Sequence, residues 1–84
     1  MANHLKFPEE FYIVNVAEMT EKMLAAMQNG QELLLDLTSV EKIDSAGVQA
    51  LASARKEAEH LGVELDYRLS GKVKDFALRI GFTF

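Results

Sequence analysis

The sequence predicts one small α/β domain: a four-stranded mixed sheet with helices packed mainly on one face, in the order β-β-α-β-α-β-α. Three observations predict it. Short apolar runs alternate with longer stretches whose apolar residues recur at helical spacing, the pattern of strands joined by crossover helices. Pro8 is the only proline in 84 residues and there are five glycines, so little material is left for a linker, and residues 1–84 read as one unit. At 49% hydrophobic with no cysteine, the chain must be held by an apolar core, because neither a disulfide framework nor a cysteine-based zinc site can form.

The elements follow in order. Leu5 to Phe7 forms a short strand that ends at Pro8, and Phe11 to Val14, apolar, aromatic and β-branched, forms a second. From Asn15 the period changes. Val16, Met19, Met23, Leu24 and Met27 share one helical face, with Glu18, Glu21 and Lys22 opposite; Asn15 is the candidate N-cap and Asn29-Gly30 the candidate stop. The methionine series reads as core rather than as a binding surface. Leu33 to Leu37, interrupted only by Asp36, lacks alternation and predicts a strand covered on both faces. Thr38 to Asp44 is a polar turn with Val40 and Ile43 facing inward.

A long helix then begins near Asp44-Ser45-Ala46-Gly47, with Val48, Leu51, Ala52, Ala58 and Leu61 as its buried stripe and Gly62 just past its end. Val63 to Tyr67 returns to a strand. Ser70 caps a last helix carrying Val73, Phe76, Ala77 and Ile80, and Gly81 ends it. Phe82 and Phe84 then remain to be buried; one of them left exposed would provide a homodimer contact.

Composition narrows the function. A net charge of −4 and a pI of about 5.0 give no general attraction to nucleic acid or to anionic membrane. Lys72, Lys74 and Arg79 form the only basic cluster near the C-terminus and read as a solvated helix face. No apolar run approaches the roughly 20 residues that span a bilayer, and the N-terminus lacks a basic stretch followed by an apolar one, so neither membrane insertion nor a signal peptide is expected. A cytoplasmic location is the default expectation. His4 and His60 stand far apart, and no His-Glu-x-x-His spacing occurs, so no metal is expected. The chain also lacks a Gly-x-x-x-x-Gly-Lys phosphate loop, a nucleophile elbow and any cysteine, and no base for Ser45 can be identified. Neither enzymatic activity nor a cofactor is expected.

The least generic segment is Ile43-Asp44-Ser45-Ala46-Gly47-Val48, which opens a helix directly after a strand and a short turn. The first amides of a helix have no intrahelical partner, and the helix dipole adds positive character there, so the position tolerates an added phosphate. Ala46 and Gly47 are small and would leave the backbone open to a partner; on that expectation Gly47→Val harms docking more than folding. Two readings of Asp44 and Ser45 stand together: a helix cap and a docking point. Asp36, at the end of its strand, suits either an acidic site or a carboxylate that bonds amides of the following turn around Thr38 and Ser39.

Leu33 to Val40 followed by Ile43-Asp44-Ser45-Ala46-Gly47-Val48 resembles the signature of the STAS family, the anti-sigma-factor antagonist fold. The resemblance runs from about Leu5 to Gly81. It implies a bacterial regulatory domain that binds another protein through Asp44, Ser45, Ala46, Gly47, Val48 and Gln49. The implied partner is a serine kinase that is also an anti-sigma factor, which would place the chain in transcription regulation. Family members of that type are switched by phosphorylation of the residue before the glycine. Here that residue is Ala46, so Ser45 becomes the phosphorylation candidate. The Asp-Ser-Ala-Gly variant also looks like STAS proteins linked to chemotaxis operons, or like the accessory subunit of lipid-transport ABC complexes, which contacts the ATPase without being phosphorylated.

Overall fold

The computed structural model describes residues 3–28 and 32–84. The Asn29-Gly30 helix stop lies outside them. The elements are β1 (Asn3–Lys6), β2 (Glu10–Phe11), α1 (Val16–Gln28), β3 (Glu32–Leu37), β4 (Lys42–Ile43), α2 (Ser45–Leu61), β5 (Glu64–Leu69) and α3 (Gly71–Arg79). The α/β class and the three helices are as expected; the sheet is not. In place of one four-stranded mixed sheet there is a parallel three-stranded sheet, in the order β1-β3-β5, and a separate parallel pair, β2-β4.

The difference begins at Phe11 to Val14. The expected strand stops after Phe11 because the Asn15 side chain closes a turn. Its Oδ1 accepts from the Tyr12 amide at 3.0 Å, its Nδ2 donates to the Glu10 carbonyl at 2.7 Å, and its backbone N donates to the Tyr12 carbonyl at 3.0 Å. An asparagine that bonds its own neighbourhood in this way outcompetes the strand preference of Ile13 and Val14. It also means that Asn15 precedes α1 without capping it by its side chain. Its carbonyl still takes the first helical bond, from Met19 at 3.1 Å.

Met19, Met23 and Met27 are buried, and α1 lies against α2. With Leu51, Ala54 and Ala58 of α2 and Val73 of α3 they cover one face of the sheet, meeting Leu33, Leu35 and Leu37. The strand β3 therefore alternates: those three leucines are buried, while Leu34 and Asp36 are only half-buried on the other face. Coverage on both faces, expected from the leucine run, is not found. The parallel register lines up His4, Leu34 and Asp66 in one row of that open face, and Lys6, Asp36 and Arg68 in the next.

Three of the predicted stripe residues also lie outside the core: Leu24, 39% exposed at the edge of the α1 stripe, Leu61 and Ile80. Leu61 is 46% exposed because Gly62, at φ 71°, reverses the chain and Val63 takes the inward place, its amide reaching back to the Ala58 carbonyl at 2.8 Å. Ile80, also 46% exposed, meets the same fate ahead of Gly81, at φ 81°. The two short strands hold the turn that precedes α2. Val40 is fully buried, and Glu9 offers its carbonyl to both Glu41 (2.7 Å) and Lys42 (3.1 Å). Ser70 caps α3, accepting from the Val73 amide at 3.3 Å, while its hydroxyl donates to the Val40 carbonyl at 2.8 Å.

Candidate functional site

The start of α2 is built around one carboxylate. Asp44 sits in extended conformation ahead of the helix, and its Oδ1 accepts from the Gly47 amide at 3.0 Å, which is an N-cap. Its Oδ2 accepts from the Ile13 amide at 2.9 Å, across 31 residues of sequence. A single side chain thus caps the helix and pins the β2–α1 turn beside it.

The predicted segment divides at this point. Ser45 and Gln49, four residues apart on one helical face, are exposed, and Ala46 is half-buried. Gly47 and Val48 are buried, Val48 at 2% exposure. The expectation of an uncovered backbone at Gly47 fails: a Cβ there would meet the Phe11 carbonyl oxygen at 2.8 Å, Ile43 Cγ1 at 3.0 Å and the Phe11 ring at 3.2 Å. The chain's own β2 strand occupies the approach that had been left for a partner. Gly47→Val therefore strikes folding first.

What sequence reasoning missed is the pair beside this entrance. Ile13 and Val14 are 66% and 75% exposed, held against the start of α2 by the Asp44 bond. They are neighbours in the chain on one pinned turn, whereas apolar surface residues scattered singly need no explanation. Asn15, a turn-forming residue at the end of an apolar run, was the signal that could have revealed them. Further along the same helix, Ala50 and Ser53 face Thr20 and Leu24 of α1 across a shallow groove of about 190 Å³.

Asp36 belongs to a different place. Its Oδ1 accepts from the Thr38 hydroxyl at 2.6 Å and from the Thr38 amide at 3.0 Å, and its Oδ2 lies 3.4 Å from His4 Nε2. The Thr38 hydroxyl and amide, helped by His4, hold the carboxyl at about 2, below the usual 3.8. With the half-buried Ser39 following, this is the turn-closing carboxylate that the sequence suggested. His60 is exposed in the last turn of α2. Lys72, Lys74 and Arg79 are exposed on α3, where Lys72 and Arg79 share a cleft with Lys42, Glu41 and Asp75, so charges of both signs are mixed. Among the described residues no three His, Cys, Asp or Glu side chains are grouped to hold a metal ion, and no helix is long and apolar enough to cross a membrane.

Fold and entrance together define a small parallel α/β domain that exposes Ser45 and Gln49 at the start of α2, with Gly47 and Val48 buried behind them. The STAS domain family matches residues 3–66, and the chain belongs to that family. STAS domains in general mediate protein–protein interaction. The chain is similar to the crystal structure of a sulfate transporter family protein from Wolinella succinogenes. The TM-score is 0.74 at 17% identity, over 96% of this chain and 67% of that one, a likeness of fold. No curated protein matches the chain.

Proposed function

We propose that this chain is a non-catalytic regulatory domain of the cytoplasm that docks a protein partner through the entrance to α2, with Ser45 at the contact. The observation that carries the reading is the apolar pair Ile13 and Val14, exposed and tied by the Asp44 carboxylate to the helix start that bears Ser45 and Gln49. Exposed aliphatic side chains next to exposed polar ones, on a backbone already ordered, lose little entropy when covered. Ser45 has a free path for modification. A phosphate there adds about −1.5 to −2 charge beside Asp44, so it repels that carboxylate and burdens a close interface with a desolvated dianion. A serine-kinase or anti-sigma-type partner is the reading that uses this switch. The second reading is an unphosphorylated accessory subunit of a lipid-transport ABC ATPase or a chemotaxis assembly. It is favoured by Ala46, which carries no hydroxyl at the position directly before Gly47.

The test compares proteins captured from the native host by the wild type, by Ser45→Asp, by Ile13→Asp/Val14→Asp, and by Lys72→Ala as a surface control. A partner retained by wild type and control, and weakened about tenfold or more in Kd by both entrance variants, is the expected result. Identical capture by all four proteins sinks the reading. Incubation with the captured kinase and ATP, followed by intact mass, separates the two partner classes: a gain of roughly 80 Da lost in Ser45→Ala selects the switch, and its absence selects the accessory subunit.

A further inference from the structure

The strand β5 lies at one end of the order β1-β3-β5, and among the described residues its only ladder is with β3. Among the described residues, no backbone group of Glu64–Leu69 has a hydrogen bond outside that ladder. One row of donors and acceptors is therefore unpaired along six residues. The strand's two faces differ. Glu64, Asp66 and Arg68 are exposed on the open face, whereas Leu65, Tyr67 and Leu69 turn toward the core and are still only half-buried. Beside Leu69, a groove of about 300 Å³ runs between α3 and the C-terminal segment, lined by Ala77, Leu78, Phe82 and Phe84; Leu78 is 65% and Phe84 39% exposed.

We infer that β5 pairs with the β5 strand of a second copy, antiparallel and centred on Tyr67. The charges select both the occupant and the register. About a dyad at Tyr67, Asp66 stands opposite Arg68 of the copy twice over, and Leu65 stands opposite Leu69 twice over. Of these three registers only the one at Tyr67 opposes no like charges: a dyad at Asp66 pairs Glu64 with Arg68 twice but sets carboxylate against carboxylate at its centre, and one at Arg68 sets guanidinium against guanidinium. Opposed like charges weaken strand pairing and opposite ones support it. The other sheet edge offers no such match: a dyad at Leu5 of β1 places His4 opposite Lys6. The contact uses an isologous patch, as two-fold dimers require. It brings the exposed Leu78 and Phe84 of each copy toward the joint, and it involves none of the residues at the α2 entrance.

Two exposed charges make the test direct. Asp66→Lys alone and Arg68→Asp alone each set like charges opposite one another twice in a homodimer. In a mixed dimer both contacts join opposite charges again. The introduced lysine of one variant faces the introduced aspartate of the other, and the retained Arg68 of the first faces the retained Asp66 of the second. Sedimentation of the wild type is expected to show twice the 9.4 kDa chain mass at high concentration, with a Kd that rises with salt. Each variant alone should raise the Kd about tenfold or more, and the equimolar mixture should restore the dimer. Far-UV circular dichroism checks that both variants are folded. A wild type that stays at the single-chain mass up to about millimolar concentration overturns the inference. So does a dimer that neither variant weakens, or a mixture that fails to recover it.

Discussion

Gly47 shows most directly how position rather than residue type sets a role. As a letter in a small-residue run it suggests an opening; in place it is the site where α2 passes the Phe11 carbonyl too closely for any side chain. Gly47→Ala is expected to cost about 1–3 kcal/mol through overpacking, read as a lowered urea midpoint at unchanged slope. An unchanged midpoint would mean that β2 yields freely. The local bonds of Asp44 to Gly47 and of Asp36 to Thr38 were both legible, since an aspartate before a helix or a turn bonds the amides that follow it; the second bond of Asp44, to Ile13, was not. Asp36 also ties stability to acid. Its folded pKa of about 2 lies below the 3.8 of an ordinary aspartate, so the carboxylate form is favoured by folding. That stability is fully present above about pH 4 and is lost as pH falls toward 2. Asp36→Asn should flatten the fall in Tm over that window; an acid limb identical to that of the wild type would assign the effect to other carboxylates.

At the scale of elements, apolar spacing located all three helices; Asp44 and Gly62 marked the two ends of α2 and Ser70 the start of α3, whereas Asn15 proved to close a turn ahead of α1. It located the strands less well. Two-residue strands such as β2 and β4 have no period to detect, and their pairing depends on a Glu9 carbonyl that receives two amides from far along the chain. The leucine run of β3 looked buried on both faces because leucine alone does not tell a covered face from an open one. Leu34 sits between His4 and Asp66 on the uncovered side. The helices allow a sharper forecast. Leu51, fully buried at the centre of α2, should lose about 2–5 kcal/mol on replacement by alanine. Leu24, 39% exposed at the margin of the apolar stripe of α1, should lose less than about 1 kcal/mol. Chemical denaturation of the two variants measures the difference, and equal losses would contradict the placement of α1.

For the molecule as a whole, three helices on one face of a three-stranded sheet leave two kinds of free surface: the entrance to α2, and the open face with its β5 edge. A chain of this size buries one core and has little left with which to enclose a cavity. Its recognition surfaces are accordingly shallow and at the rim. The proposed partner contact and the proposed self-contact occupy different rims, so the entrance variants Ser45→Asp and Ile13→Asp/Val14→Asp and the edge variants Asp66→Lys and Arg68→Asp report on separate events.

Local chemistry carried by neighbours in the chain was determined by the amino-acid sequence alone. It set the α/β class, the helix positions, the caps at Asp44 and Ser70, the turn at Asp36, and the STAS likeness of the Asp44-Ser45-Ala46-Gly47 step. Only the tertiary structure decided the parallel three-stranded sheet with its separate β2-β4 pair, the burial of Gly47 under Phe11, and the exposure of Ile13 and Val14 beside Ser45. The reason is one of range. Caps and turns form between residues two to four apart, whereas the bond from Asp44 to Ile13 and the wall that Phe11 raises over Gly47 join positions more than thirty residues apart, and no local pattern encodes which distant segment will arrive.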